Sequence, residues 1–287
     1  MPSLVWIDGS WHDRESAVVS VFDHGLLYGD GVFEGIRAYG GRVFRLDAHV
    51  DRLYDSAKAI WLEIPMPKAE MARMVEDGVA KSGIKDNYIR LVVTRGVGDL
   101  GLDPRKCAKP TVFCIFDTIK LWPQDRYEKG LTALTAATPI LHRESLSPRV
   151  KSLNYLSHIL AKVEGIAAGV DEVIMLDSAG YVAEASGMNL FAVSNSTLRT
   201  PPPYTGILRG VTRDTIIELG REAGYGIEEL PMNRYDLYTA DEVFLTGTAA
   251  EVVAISKLDG RTIGKGISGP VTRDLATRFR AYVTRDD

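Results

Sequence analysis

The order of extended and helical segments constrains this fold more than any single motif does. Short apolar runs separated by glycine-rich turns come first, two segments with helical spacing follow, and strand-like and helix-like segments then succeed one another irregularly. A doubly wound parallel sheet would need regular alternation of strands and crossover helices. The order therefore predicts an α+β, or mixed α/β, architecture.

Two hairpins are predicted near the start of the chain. The segment LVWIDGSWHD alternates in polarity and turns at Asp8-Gly9, and a later apolar run turns at Gly40-Gly41. Both dipeptides tolerate the positive φ angles of tight hairpin turns. We therefore expect antiparallel strand pairs at both places.

Two helices are predicted after the hairpins. The first has Asp47 as its expected N-cap and ends before Pro65, because proline interrupts a helix. Its apolar stripe is formed by Val50, Leu53, Tyr54, Ala57 and Trp61. The second is expected over residues 67–82 and stops at Gly83, a favourable C-cap residue.

The chain has 287 residues, which is long for one compact core. A polar stretch that contains Pro123 and shows no apolar periodicity is the expected break. We predict a small N-terminal α/β domain at 1–118, an interdomain linker at 119–130 and a larger C-terminal domain at 131–287. Helices are expected after Lys151, after Thr212 and after Gly269.

Composition limits the class of partner. A formal net charge of -4 and a pI near 5.8 argue against nucleic acid, which basic surfaces bind, so small molecules are expected. The two cysteines, Cys107 and Cys114, match neither a zinc site nor a redox pair and are expected to be reduced. No signal peptide or membrane-spanning run is recognised, so a cytoplasmic protein without membrane contact is predicted.

Gly96 to Gly101 match the G-x-G-x-x-G pattern of dinucleotide-binding proteins. That motif requires a helix to open at the third glycine, and Pro104 and Pro110 leave no room for one. The segment is therefore interpreted as a glycine loop, either mobile or lying over a pocket.

Lys151 is the candidate nucleophile. It precedes the apolar stripe of Leu153, Leu156, Ile159, Leu160 and Val163, so it is predicted to open a helix. The helix dipole would disfavour its charge there and make the amine nucleophilic, as Schiff-base chemistry requires. Tyr155 would share its helical face. A solvated lysine at a helix end explains the same pattern.

Two further sites are candidates for binding an anion, and each pattern also has an ordinary structural explanation. Gly206 and Gly210 precede Thr212 and a predicted helix, whose amino end attracts anions, although Thr212 can simply be an N-cap. Arg52 lies off the apolar stripe of the first helix, where an ordinary surface arginine is also expected.

Glu184 lies in a segment of small and apolar residues, so a buried carboxylate with a cationic or hydrogen-bonding partner is predicted. A protonated pyridine nitrogen would serve as that partner, and a structural salt bridge would serve equally. Neither H-E-x-x-H nor G-x-S-x-G occurs, so no metal site and no hydrolase site is predicted.

Taken together, these segments resemble the fold-type IV pyridoxal-phosphate enzymes, the class IV aminotransferases with a D-amino acid aminotransferase-like fold, and most closely the branched-chain amino acid aminotransferases. The resemblance covers nearly the whole chain. The blocks that carry it are YGDGVFEGIRAY, HVDRLYDSA, NYIR, KSLNYL, GYVAEASGMNLF, GILRGVTRD and DEVFLTGTAAEV.

The resemblance implies a role for each matching position. Lys151 would hold pyridoxal 5'-phosphate as a Schiff base and then shuttle the proton, and Glu184 would pair with the pyridine nitrogen. Tyr155 would hydrogen-bond the phenolic oxygen. The residues implied to bind phosphate are Arg52, Val211, Thr212 and Thr248. The residues implied to bind substrate are Tyr28, Phe33, Gly35, Arg37, Tyr88, Arg90, Thr248 and Ala249.

The implied reaction is ping-pong transfer of the amino group of leucine, isoleucine or valine to 2-oxoglutarate. The resemblance also implies a homodimer or a higher homo-oligomer, in which Tyr28 and the glycine loop reach the neighbouring active site. The motifs KSLNYL and EASG differ from the sequences usual at these positions in branched-chain amino acid aminotransferases. A D-amino acid or (R)-amine transaminase and an aminodeoxychorismate lyase of the same fold are therefore alternatives. A non-catalytic binding protein is the least expected alternative, because both Lys151 and Glu184 are present.

Overall fold

A computed structural model describes residues 3–285, which divide into two compact units. The first unit comprises the chain as far as Ile119 together with Val150–Asn154, and the second comprises Lys120–Arg149 and the chain from Tyr155 onward. Five residues from the middle of the sequence thus return to the first unit. The domain boundaries at 119–130 stay a prediction.

The first unit contains an antiparallel sheet with the strand order β2-β1-β6-β5-β3-β4. The strands are β1 (Leu4–Ile7), β2 (Ser10–Asp13), β3 (Gly31–Tyr39), β4 (Arg42–Val43), β5 (Tyr88–Thr94) and β6 (Thr111–Asp117). The turns at Asp8-Gly9 and Gly40-Gly41 connect β1 to β2 and β3 to β4, which confirms both predicted hairpins.

The helices of this unit are α1 (His24–Tyr28), α2 (Leu46–Ala59) and α3 (Lys68–Ser82). The second predicted helix is confirmed as α3, which follows Pro67 and ends at the left-handed Gly83. Buried apolar side chains of α2 and α3 form one core with the sheet, including Leu53, Met71 and Ile36. The glycine loop contains no α-helix; a single 3-10 turn at Pro104–Lys106 follows it.

The predicted ends of α2 were wrong. The helix begins at Leu46, with Arg45 at the N-cap position, so Asp47 lies in the first turn and does not cap it. It ends at Ala59 rather than near Pro65. Trp61 leaves the helical path with a φ of 57° and its side chain is 74% exposed, so it does not belong to the buried stripe.

The second unit contains a mixed sheet with the order β12-β11-β10-β13-β14-β7-β8-β9, and β15 pairs with β14. The strands are β7 (Leu131–Thr135), β8 (Glu172–Leu176), β9 (Val182–Ala185), β10 (Asn189–Ser194), β11 (Thr197–Thr200), β12 (Gly226–Glu229), β13 (Glu242–Gly247), β14 (Glu251–Leu258) and β15 (Arg261–Thr262). Parallel and antiparallel pairs coexist in it, as the irregular element order predicts.

The helices of the second unit are α4 (Gln124–Lys129), α5 (Leu156–Ala167), α6 (Val211–Glu222), α7 (Arg234–Tyr238) and α8 (Pro270–Thr284). Part of the stretch expected to be a linker is therefore helical. Sequence patterns did not predict α4, α7 or the strands β11, β12, β14 and β15. Cys107 and Cys114, both in the first unit, are free thiols. None of the helices in residues 3–285 has the length and apolarity that crossing a membrane requires.

The prediction that Lys151 opens a helix was wrong. Helix α5 begins at Leu156, so Lys151 and Tyr155 do not share a helical face and the helix-dipole argument does not apply to the lysine. The apolar stripe of α5 also faces solvent rather than the core. Its exposed side chains are Leu156, Ile159, Leu160, Val163 and Ile166, each at least 50% exposed.

The carboxyl end of α2 stores a local strain. The amide of Trp61 donates to Lys58 O at 3.1 Å and the amide of Leu62 donates to Ala57 O at 2.9 Å, a Schellman arrangement that places Trp61 in the left-handed region. A residue with a Cβ atom is disfavoured there, and glycine is preferred.

We expect the free energy of unfolding of Trp61→Gly to exceed that of Trp61→Ala by about 0.5–1 kcal/mol. The glycine variant is the more stable because only glycine removes the Cβ atom at the positive φ. Urea denaturation of both variants measures the difference. The alanine variant controls for loss of the exposed indole, so equal stabilities would contradict the conformational explanation.

Candidate active site

The backbone around Lys151 is fixed inside the first unit. Phe33 N donates to Lys151 O at 2.9 Å and Leu153 N donates to Gly31 O at 3.0 Å. Ser152 and Val32 form an antiparallel bridge, and Lys151 N donates to Ser56 Oγ on α2 at 3.1 Å. Strand β4 pairs with β3 only at Ala38 and Tyr39, so the rest of that edge of β3 is left open. The segment around Lys151 occupies this open edge.

The side chain of Lys151 reaches an aromatic ring of the same unit. Its Nζ lies 4.5 Å from the ring centroid of Phe33, and the guanidinium carbon of Arg90 lies 4.6 Å from the same centroid. Cations at these distances are attracted by the ring quadrupole. The candidate nucleophile and an arginine therefore contact the same aromatic ring.

Strand register places four of the predicted substrate residues together. Gly35 is opposite Arg90 and Arg37 is opposite Tyr88 in the β3–β5 pair, so all four project from one face of the sheet, which also carries Phe33. Nη2 of Arg90 donates to Tyr88 Oη at 3.1 Å. A Cβ atom on Gly35 would lie 2.6 Å from that hydroxyl, so only glycine leaves the space.

Arg90 retains hydrogen-bonding capacity. Its Nε is buried and has no hydrogen-bond partner among residues 3–285. A buried guanidinium N–H normally finds an acceptor, and a carboxylate matches the planar donor pattern of arginine. This face of the sheet is therefore suited to an anionic substrate group.

The opposite face of β3 carries a buried ionic cluster. Glu34 is fully buried, accepts from Arg52 Nε and Nη2 at 2.7 Å each, and lies 2.8 Å from His49 Nδ1. Burial raises the pKa of Glu34, but the charge and hydrogen bonds of Arg52, with those of His49, outweigh it and lower the pKa to about 2. Burial also lowers the pKa of His49, so its imidazole is neutral and donates through Nδ1.

Tyr28 and the glycine loop are bound to each other. Tyr28 Oη donates to Leu100 O at 2.6 Å, and His24 Nε2 lies 2.7 Å from Asp99 O. Leu100 and Leu102 remain exposed. The loop is thus anchored to α1, with apolar side chains directed to solvent.

In the second unit, Glu184 lies on β9 and is buried as predicted. Its Oε2 accepts from Leu208 N at 3.1 Å and from Asn189 Nδ2 at 3.3 Å. Asn189 Nδ2 also donates to Leu208 O at 2.8 Å. These amide contacts fix the carboxylate against the loop that leads into α6.

The amino end of α6 lies beside these groups. Gly210 occupies the N-cap position, and a Cβ atom there would lie 2.1 Å from Asn189 Oδ1, so glycine is required for this close approach. Val211 and Thr212 are the first two residues of the helix, so Thr212 is not its N-cap. Amides in the first turn of a helix, together with its dipole, attract anions.

The remaining predicted residues lie in the second unit. Thr248 and Ala249 form the turn between β13 and β14. Tyr155 immediately precedes α5, and its ring stacks on His158 with 4.6 Å between centroids. His158 Nδ1 in turn lies 3.0 Å from Ser186 O. The tyrosine ring is therefore supported from one side.

Several residues of these clusters were not predicted. Glu34, His49, Asn189 and His158 each contact a predicted site residue or its partner. A charged residue within an otherwise apolar strand, as Glu34 is within VFEGI, is the signal that could have indicated the ionic cluster. Among residues 3–285, no group of three or more His, Cys, Asp or Glu side chains is placed to hold a metal ion.

In the first unit a lysine and an arginine contact one aromatic ring, and in the second unit a buried carboxylate is held by amides near a helix amino end. Each set separately suits one class of protein, the enzymes that link a phosphorylated carbonyl cofactor to lysine. Consistent with this class, residues 31–258 match the family model for class IV aminotransferases. The chain belongs to that family and, by the relatives described next, to its branched-chain amino acid aminotransferase group.

A putative branched-chain-amino-acid aminotransferase of Methanocaldococcus jannaschii is 51% identical over 98% of this chain and 96% of its own length. The branched-chain enzyme of Escherichia coli has a TM-score of 0.95 at 34% identity, covering 99% of this chain and 95% of that one. The T.th. branched-chain enzyme, solved with pyridoxamine 5'-phosphate, has a TM-score of 0.94 at 37% identity, with coverage of 99% and 95%.

We expect Glu34→Gln to lower the free energy of unfolding at pH 6 by about 3 kcal/mol, because it breaks a buried ion pair and leaves Arg52 without its carboxylate. The pKa of Glu34 falls from 4.5 to about 2 on folding. Its stabilisation is therefore present above pH 4.5 and lost as the pH falls toward 2.

The wild type should accordingly lose more stability than Glu34→Gln between about pH 5 and pH 3, as measured by urea unfolding at each pH. Asp51→Asn is the control, because Asp51 pairs with Lys68 at the surface and its loss should cost about 0.5 kcal/mol or less. Parallel pH profiles for wild type and Glu34→Gln would contradict the assignment.

Proposed function

We propose that the protein catalyses pyridoxal-phosphate-dependent transfer of the amino group of leucine, isoleucine or valine to 2-oxoglutarate by a ping-pong mechanism. The observation that carries the proposal is the fixed position of Lys151, with its Nζ over the Phe33 ring and Arg90 over the same ring. The branched-chain relatives support the substrate class. The T.th. enzyme has also been solved with 4-methylvaleric acid, whose branched skeleton is that of leucine without its amino group.

The residues of each unit fit the parts of this cofactor. The amino end of α6 suits the phosphate group, because helix amino ends attract anions. Gly210, at the N-cap position, lets the backbone there approach Asn189 closely. A protonated pyridine nitrogen suits Glu184, whose carboxylate is buried and held by amides. When bound, pyridoxal phosphate supplies an electron sink for the bond broken at the substrate Cα.

The chain's own residues bind, orient and move protons. Lys151 Nζ would hold the cofactor and, once displaced by substrate, would take the proton from the substrate Cα and deliver it to the cofactor carbon C4′. Glu184 keeps the ring nitrogen protonated, and Tyr155 binds the phenolic oxygen. Arg52, Val211, Thr212 and Thr248 bind the phosphate. Glu34 holds the Arg52 guanidinium through two hydrogen bonds, so it positions that phosphate ligand.

Substrate binding is assigned to the sheet face that carries Phe33, Gly35, Arg37, Tyr88 and Arg90, together with Tyr28 and the turn at Thr248 and Ala249. Tyr88, Arg90 and the amides of that turn take the α-carboxylate. Nε of Arg90 supports this role, because no acceptor for it occurs among residues 3–285. A substrate carboxylate would supply that acceptor. The rings of Tyr28, Phe33 and Tyr88 surround the branched side chain.

We also propose that the protein functions in the cytoplasm as a homodimer or higher homo-oligomer. The exposed stripe of α5 and the exposed Phe22, Leu26, Leu100 and Leu102 of the first unit support assembly, because monomers rarely expose large apolar patches. A second copy of the chain would cover them. Free thiols at both cysteines suit the reducing cytoplasm.

Lys151→Ala should abolish the visible absorbance of bound pyridoxal phosphate and lower turnover of L-leucine by about 10³-fold or more, because both depend on the amine. Absorbance after gel filtration and a coupled 2-oxoglutarate assay measure the two effects. Lys58→Ala, which removes an exposed lysine of α2, is the matched control.

Single-turnover half-reactions test the substrate. L-leucine should convert the cofactor to its amine form, whereas D-alanine and (R)-1-phenylethylamine should not. Transamination of leucine by Lys151→Ala would refute the role of the lysine, and faster conversion by D-alanine than by L-leucine would refute the substrate class.

Val163→Glu should convert the assembly to monomers, because it places a charge in the middle of the exposed stripe of α5. Light scattering during size-exclusion chromatography measures the mass. Ala80→Glu, at an exposed position of α3, introduces the same charge away from the stripe and should leave the mass unchanged. An unchanged mass for Val163→Glu would exclude this helix from the interface.

A further inference from the structure

The hydroxyl of Thr246 is buried without a hydrogen-bond partner. The residue is 1% exposed, and its Oγ1 has no partner among residues 3–285. Thr246 lies on β13, two residues before Thr248 in the sequence. A buried hydroxyl without a partner destabilises a fold, so its presence calls for an acceptor that residues 3–285 do not provide.

Strand register places this hydroxyl in a defined location. Thr246 is directly opposite Asn189 in the antiparallel β10–β13 pair, and directly opposed side chains project from the same face with Cβ atoms about 4.5–5.5 Å apart. Asn189 is the residue that contacts Glu184 and against which Gly210 is packed. Thr246 therefore lies beside the amino end of α6.

That helix end is suited to an anion independently of Thr246. Helix α6 has 12 residues, and its first intrahelical bond is donated by Asp214 N to Gly210 O at 3.0 Å. The amides of residues 211–213 precede that bond in the chain, where helices bind phosphate. The buried hydroxyl and the helix end thus point to the same ligand group.

We infer that Thr246 is an additional cofactor-binding residue, whose Oγ1 donates a hydrogen bond to the phosphate group held at the amino end of α6. The ligand then supplies the acceptor that residues 3–285 lack. This inference rests on the proposed function. A buried threonine that serves packing alone would make no hydrogen bond to the ligand.

Thr246→Val and Thr246→Ser test the inference in the full-length protein. Valine keeps the shape and removes the hydroxyl, so the ligand-free variant should melt at the wild-type temperature or above it, because a partnerless polar group is lost. Its dissociation constant for pyridoxamine 5'-phosphate, measured by calorimetry, should rise about tenfold or more, because a hydrogen bond to a charged group is lost. Serine should restore most of the affinity.

Thr200→Val is the matched control. Thr200 is also fully buried, but its Oγ1 donates to Leu190 O at 2.8 Å. This variant should melt below the wild type and bind pyridoxamine 5'-phosphate with unchanged affinity. The two valine variants thus separate loss of a structural hydrogen bond from loss of a ligand contact.

Inorganic phosphate, used as a competitor of pyridoxamine 5'-phosphate, identifies the contacted group. If Thr246 contacts phosphate, inorganic phosphate should compete less effectively in Thr246→Val than in wild type. Wild-type affinity of Thr246→Val for pyridoxamine 5'-phosphate, or weakened binding of that ligand with unchanged competition by phosphate, would overturn the inference. If the wild type itself did not bind pyridoxamine 5'-phosphate, the proposed function would fail instead.

Discussion

The pairing of Lys151–Leu153 with the open edge of β3 is the contact on which the candidate chemistry depends. Backbone bonds from Phe33 to Lys151 and from Leu153 to Gly31 fix the segment in register. Because Phe33 belongs to the same strand, the pairing also determines which ring the lysine amine meets. A register shift of one residue would direct the lysine to the opposite face, since side chains alternate along a strand.

The same strand separates two environments. One face of β3 carries the glycine, arginine and aromatic groups assigned to substrate, and the other carries Glu34 within the core. A buried carboxylate is costly, and this one is stabilised because Arg52 and His49 donate to its oxygens. The core thereby determines the position of an arginine that belongs to the proposed phosphate site.

Local patterns predicted much of the fold. The dipeptides Asp8-Gly9 and Gly40-Gly41 form hairpin turns and Gly83 ends α3, since each conformation depends on neighbouring residues alone. Periodicity failed at α5 for a physical reason. Apolar periodicity shows that a helix has an apolar side, but it does not show what covers that side. In α5 the apolar stripe is exposed in the single chain.

The sequence by itself determined most of the strand and helix types, the turns and, through its seven blocks, the family of aminotransferases and its candidate residues. Only the tertiary structure decided that Lys151 lies at a strand edge rather than on a helix, that Glu34 holds Arg52, and that Thr246 is opposite Asn189. These contacts join residues far apart in the chain. They depend on strand register and on which groups become buried together, which local propensity and periodicity do not specify.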